Sequence, residues 1–195
     1  MAQQEINNGT AAGDGTGEIL FSSFEKTNDN FTELYGVGGW AYYVDSLATP
    51  TIVIGTSYTQ ITIDGLGAFT NEDYLPLELK DASWSLLQSN LITPFSIGED
   101  YIGRFDLTVT SMHGSPSVID FIIDISGSTA GTNKAFTGYI QTIGSTPYDQ
   151  SLEINFFCLA EFLANGGTIY ARVDSGTVTI GRRNLKLSRI SKNLG

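Results

Sequence analysis

From Trp40 onward, apolar and polar residues alternate in short runs, with turn residues recurring about every 8–12 positions. A period of two puts successive side chains on opposite faces of a strand. A chain written this way buries one face of each strand and closes as an antiparallel sandwich or barrel. The first run is Trp40–Val44, with Tyr42 and Tyr43 on opposite faces, followed by 51–54 and 59–63 and an Asp64-Gly65 turn signal. In 101–110, Phe105, Leu107 and Val109 point one way and Arg104, Asp106 and Thr108 the other. In 118–125, Ile119, Phe121, Ile123 and Ile125 share a face against Asp120 and Asp124. The polar connection 111–117 is short, so these two runs are expected to pair as an antiparallel hairpin.

A second pair is expected from 135–143 and 152–159. The latter points Leu152, Ile154, Phe156 and Cys158 inward and Phe157 and Leu159 outward. Apolar residues on both faces predict a strand covered twice, which makes Phe157 and Leu159 candidates for a subunit interface. Residues 161–167 read as a turn, with Asn165, Gly166 and Gly167 supplying positive-φ positions. A third hairpin is expected from 168–173 and 177–180 around Asp174-Ser175-Gly176. Val178 and Ile180 are even-numbered and Leu185 and Leu187 odd, so the inward face changes parity, predicting a β-bulge near Gly181-Arg182. Residues 65–90 stay open, except that Pro76 excludes Tyr74–Leu77 from a central strand.

Ahead of the strands lies the one long helical pattern, expected from about residue 17 to about 35. Leu20, Phe24, Thr27, Phe31 and Leu34 follow at spacings of four, three, four and three, a heptad seam. Asp14 or Thr16 is the candidate N-cap, Glu18 suits the first turn, and Gly36 the close. A helix this short is marginal alone. Its apolar seam packs either on the chain's own domain or on copies of itself or a larger assembly. The expected organisation is an N-terminal arm and helix over 1–38 and a β head over 39–195.

The 195 residues carry a net charge of −11. All 21 acidic residues lie at or before Asp174, whereas five of the ten basic ones, Arg182, Arg183, Lys186, Arg189 and Lys192, fall in the last 14 positions. An acidic body disfavours nucleic acid. The basic end is expected to meet an acidic protein neighbour or the chain's own acidic surface, with one or both of Arg182 and Arg183 at the strand corner bridging to a neighbouring subunit. There is no apolar run long enough to span a membrane and no basic-then-apolar leader, so cytoplasmic synthesis without a signal peptide is expected. A single cysteine, Cys158, excludes an internal disulfide.

Catalytic patterns are sparse. His113 is the one histidine, in a polar loop with no carboxylate beside it. Gly127–Gly131 has the spacing of a nucleophile elbow but a threonine at its centre. Asp120 and Asp124 lie about 13 Å apart along one strand face, too far for one metal or a retaining carboxylate pair. They are read as a solvated or ion-paired outer face, with Asp106 and Arg104 as cross-strand partners. No enzyme, cofactor or metal site is expected.

Two resemblances add to this reading. The segment from Ile6 to Tyr35, with Asp14-Gly15-Thr16-Gly17, Phe24 and Asn28-Asp29-Asn30-Phe31-Thr32-Glu33-Leu34-Tyr35, resembles a motif near the N-termini of tailed-bacteriophage fibre, spike and baseplate-associated proteins. There it serves attachment or oligomerisation, which implies that role for Leu20, Phe24, Phe31, Leu34 and Tyr35. Residues 40–190 resemble, in strand order, a tumour-necrosis-factor-like jelly roll, which implies a mainly β antiparallel sandwich and a homotrimer. Together they imply a virion-surface structural protein, a short fibre, spike or decoration anchored to phage capsid or tail proteins through its N-terminus. The alternative is a receptor-binding module holding a host-surface glycan on Tyr42 or Tyr43, Tyr148 and Tyr170.

Overall fold

The computed structural model describes residues 6, 15, 22–27, 38–76, 79, 85–111, 117–142 and 146–191. Of the expected N-terminal helix, residues 22–27 are described and helical (α1), with the Thr27 hydroxyl donating to the Ser23 carbonyl at 2.8 Å. Phe24 on this turn is 60% exposed. Leu20, Phe31, Leu34 and Tyr35 lie outside the described residues, as does His113.

The head is two antiparallel sheets facing each other. One, here called the front sheet, contains β1 (Gly39–Val44), β2 (Ile52–Ile54), β6 (Asp100–Ser111), β9 (Tyr148–Phe157) and β11 (Val178–Ser191). Its order is β1-β11-β6-β9, with β2 also on β11. The back sheet contains β3 (Thr59–Gln60), β4 (Leu87–Gln88), β5 (Leu91–Ile92), β7 (Val118–Asp124), β8 (Lys134–Gln141) and β10 (Gly167–Val173). Its order is β4-β5-β10-β7-β8, with β3 also on β10. The connections from β6 to β7, β8 to β9 and β10 to β11 all switch sheets, while β7 and β8 stay together. That alternation is the connectivity of a jelly roll. The mainly β, antiparallel jelly-roll sandwich expected from the sequence is what the chain forms.

The same connectivity corrects three pairings. β6 does not pair with β7, β8 does not pair with β9, and β10 does not pair with β11; each couple is split between the sheets. β6 pairs instead with β11 and β9, and β7 with β10 and β8. The reason is physical. Alternation dictates which face of a strand is buried, and both sheets bury the same kind of face. Phe105 of β6 and Phe121 of β7 point inward as expected, and meet edge to face across the sandwich at 6.1 Å and 85°. Each such side chain, fully buried, contributes about 1.5–3 kcal/mol.

The parity change is realised as a register shift between Ile180 and Arg183 where β11 crosses β6. It leaves Arg182 exposed and turns Arg183 inward. Residues 161–167 are not simply a turn. Ala160–Asn165 is a short helix, α2, whose Phe162 is buried against Phe156 at 4.9 Å between ring centres. Gly166 closes it at φ 69°, its N–H donating to the Phe162 carbonyl. Gly167 has no positive φ; it is small because a Cβ there would meet Phe162 and Ile123 side-chain atoms, each at 2.7 Å.

The open region resolves into packing along β1. Asn71 bridges to Tyr42, and Tyr74 stacks on Trp40 at 4.4 Å, with no strand through Pro76. β4 and β5 form a two-residue hairpin with Ser89 at φ 51° and Asn90 at φ 67°, the left-handed pair a tight hairpin requires.

Candidate functional site

Three places on the head carry groups that sequence reasoning singled out or that the fold assembles.

The first lies inside the front sheet. Arg183 forms a buried ion pair with Asp45 of its own chain, Nε to Oδ2 at 2.5 Å, and its Nη2 donates to the Pro50 carbonyl at 3.1 Å. The expected bridge from Arg183 to a neighbouring subunit is therefore corrected: the bulge that exposes Arg182 aims Arg183 at Asp45. Burial pushes the Asp45 carboxyl above its ordinary range, against the pull of Arg183. A second pair joins Arg189 to Glu99, Nη1 to Oε1 at 2.8 Å, with both side chains fully buried. Glu99 Oε2 also accepts from the Tyr101 hydroxyl (2.7 Å) and the N–H groups of Phe95 (2.8 Å) and Ser96 (3.0 Å). Sequence reasoning missed Asp45 and Glu99, because nothing local marks a carboxylate whose partner lies a whole domain away in sequence.

The second is the outer face of the front sheet. Phe157 and Leu159 point outward as predicted, but no second layer among the described residues covers them, and β9 is the edge strand. Ile102 sits opposite Ser188 on β11 and Asn155 on β9. Ile190 and Phe157, two residues further on, are its diagonal neighbours. The three are 52%, 47% and 46% exposed in the order Ile190, Ile102, Phe157, an apolar triangle across three adjacent strands, with Asp100 between Ile190 and Phe157. β1 enters at the same end, with Gly39 opposite Arg189.

The third is the outer face of the back sheet. Register places Tyr139 of β8, Asp120 of β7 and Arg172 of β10 in one row. Asp120 Oδ2 accepts from Arg172 Nε at 3.1 Å and from the Tyr58 hydroxyl at 2.7 Å. The Arg172 guanidinium lies over the Tyr58 ring, 4.6 Å from its centre, and Lys134 lies 5.6 Å from the same ring. Burial and then the Asp120 hydrogen bond hold the Tyr58 hydroxyl above the usual phenol range. Asp120 is thus ion-paired, but with Arg172. The expected cross-strand partners Asp106 and Arg104 pair with each other on the opposite sheet, at 2.9 Å. Beside the row runs a groove of about 390 Å³, whose lining includes Val118, Tyr139, Arg172 and Asp174.

Solved structures similar to this chain include a TNF and proteins of virus particles. The Eiger TNF of S. frugiperda aligns over 82% of this chain and 96% of its own, at 9% identity and a TM-score of 0.49. The PRD1 vertex protein P5 aligns over 79% and 73%, at 13% identity and a TM-score of 0.42. The top component of Cowpea mosaic virus aligns over 81% and 86%, at 11% identity and a TM-score of 0.25. No family model and no curated protein matches the sequence.

The tyrosines expected to make a glycan platform do not come together. Tyr43 is buried, with its hydroxyl donating to Glu72 and accepting from the Leu87 N–H at 3.1 Å. Burial first, then Glu72, raise its pKa well above the phenol range. Tyr42 is on the outer face of the front sheet and Tyr170 on that of the back sheet, so the sandwich separates them. Tyr148 packs against the core, with its hydroxyl donating to the Gln141 carbonyl at 3.2 Å. Cys158 is buried and free; burial and then Glu99 push its thiol up to about 11, so it packs as a small hydrophobe and is a poor nucleophile. No group of three or more metal-ligating side chains occurs among the described residues.

Asp124 is buried and ties down the loop after β7. Its Oδ1 accepts the Ser126 hydroxyl (2.5 Å) and N–H (3.0 Å), and its Oδ2 the N–H groups of Gly131 (2.8 Å) and Asn133 (3.2 Å). Partial desolvation would raise its pKa, but these donors outweigh it and the carboxyl titrates below its ordinary value. Asp64 is likewise lowered, burial being outweighed by Leu66, Thr49 and Ser46. A lowered folded pKa gives stability that is present above the unfolded value of about 3.9 and lost as pH falls below it. The melting temperature is therefore expected to drop steeply below about pH 4. Asp124→Asn should cost about 1–3 kcal/mol at neutral pH and flatten that acid limb, as thermal melts across pH would record.

Proposed function

We propose that this chain is a non-enzymatic structural protein of a bacteriophage virion, a short trimeric fibre, spike or decoration protein. Its N-terminal segment anchors it to the capsid or tail, and its jelly-roll head projects from the particle. The observation that carries this reading is the apolar triangle of Ile190, Ile102 and Phe157 on the front sheet, uncovered among the described residues. Apolar residues aligned on three neighbouring strands favour burial against another surface. A second and third copy of the head supply that cover symmetrically. The exposed Phe24 on α1 and the attachment motif around it support the same reading from the other end of the chain.

Light scattering on the intact chain at micromolar concentration is expected to return three copies. Ile102→Asp with Phe157→Asp should yield monomers with unchanged circular dichroism. A tagged copy supplied during particle assembly should sediment with the particles and lose that ability when residues 1–38 are removed. A monomeric intact chain would overturn the trimer, and a tagged copy that never sediments with particles would overturn the anchoring.

A further inference from the structure

We propose that the groove on the outer face of the back sheet is a saccharide site, with a neutral pyranose held by Tyr139, Asp120, Arg172 and Asp174. Its volume of about 390 Å³ lies within the range of small-molecule sites, roughly 300–1,000 Å³. The chemistry of its walls selects the ligand. A pyranose presents an apolar C–H face and a rim of hydroxyls that both donate and accept, so it needs a flat aromatic surface beside planar polar groups.

Tyr139 is 66% exposed, and its ring has no aromatic or cationic partner among the described residues. It offers the flat surface. Arg172 offers the donors. Its Nε is tied to Asp120 and its guanidinium is stacked on Tyr58, so the terminal nitrogens are held in place before any ligand arrives. Ordering those donors beforehand removes an entropic cost that binding would otherwise carry.

The acceptors are two carboxylates. Asp120 Oδ1 is buried without a hydrogen-bond partner, an acceptor the protein leaves unused. Asp174 caps the neighbouring turn through Oδ1, which accepts the Val118 N–H at 3.0 Å and the Ser175 hydroxyl at 3.4 Å. Its Oδ2 takes no donor among the described residues. A structural role for the Arg172–Asp120 pair explains their contact with each other. It does not explain an exposed tyrosine ring in the same row, or a buried Asp120 oxygen left without a donor.

Charge decides which sugar. Arg172 and Lys134 are matched locally by Asp120 and Asp174, so the bias against uronic acids, sialic acids and phosphorylated sugars comes from the chain's net charge of −11. A neutral ring meets no such penalty.

The test is saturation-transfer-difference NMR on the intact chain, with methyl glycosides of glucose, galactose, mannose and N-acetylglucosamine, and with glucuronate as the anionic probe. Transfer to at least one neutral glycoside is expected, with a millimolar dissociation constant. Tyr139→Ala and Arg172→Gln should each weaken it by about tenfold or more. Tyr42→Ala, on the other sheet, should leave it unchanged. Tyr139→Ala removes an exposed ring and keeps the fold, so a loss there reports contact with the ligand. No transfer to any neutral glycoside at about 10 mM, a preference for glucuronate, or binding indifferent to both variants would overturn the site. The Ile102→Asp, Phe157→Asp monomer should bind as the parent does, which separates this inference from the assembly.

Discussion

Glu99→Ala is expected to lower the stability of the chain by about 3–5 kcal/mol, the cost of leaving a buried charge without its mate. The substitution removes the fully buried carboxylate that accepts from the Arg189 guanidinium, the Tyr101 hydroxyl and the N–H groups of Phe95 and Ser96. For a chain of this length each kcal/mol moves the melting temperature by about 2–4 °C, so a fall of roughly 6–20 °C should appear in a thermal melt. Glu99→Leu combined with Arg189→Met should recover much of it, since an apolar pair avoids the desolvation that a charge pair must offset. A Glu99→Ala protein melting within about 3 °C of the parent would contradict this account.

The second large effect is expected at Arg183. Arg183→Gln leaves Asp45 buried and ionised, with two backbone donors, the Asp64 N–H at 3.0 Å and the N–H of residue 183 at 3.2 Å, and should cost about 3–5 kcal/mol at neutral pH. The sign of its pH dependence follows from burial. Asp45 already has a raised folded pKa, and loss of Arg183 raises it further. Its charged form is then the destabilising one, so the deficit should shrink as pH falls through that raised value toward the unfolded one near 3.9. Because the pair lies within one chain, the deficit should not change with protein concentration. Arg182→Gln, one residue away on the exposed side of the bulge, should stay within about 0.5 kcal/mol of the parent. Urea titrations at two pH values and two concentrations separate these outcomes.

Burial was legible in the sequence wherever alternation was clean. Phe105, Leu107, Val109, Ile119, Phe121, Ile123, Leu152, Ile154 and Phe156 all face the core as the period of two requires, and the parity change marked the bulge correctly. Strand partnership was not legible. Short polar connections at 111–117 and 174–176 look like hairpin loops, yet both carry the chain from one sheet to the other. The same few residues can turn a strand beside itself or across a sandwich about 10 Å thick. The jelly-roll reading and the hairpin reading were in conflict, and topology settled it.

The groove on the back sheet was legible only in part. Asp120 stands out as a charge on an outer strand face. Tyr58, Tyr139 and Arg172 do not, because cross-strand register and a loop from elsewhere in the chain bring them together. The tyrosines that looked like a platform were chosen by exposure on single strands, and sheet membership dispersed them.

β11 hydrogen-bonds to β1, β2 and β6, so the middle of the front sheet is the last of the described strands to be made. Trp40 meets Ser188, and Ile54 meets Val178, across nearly the whole length of the head. Until residue 178 and those after it emerge, β1 and β2 have no ladder to join, and the inner face of β6 waits beside an empty lane. Closure of so long a loop is entropically costly and slow compared with a local hairpin. Nascent chains truncated before β11 should therefore stay protease-sensitive throughout the front sheet, and folding of the head should be a single event that waits for β11 to emerge.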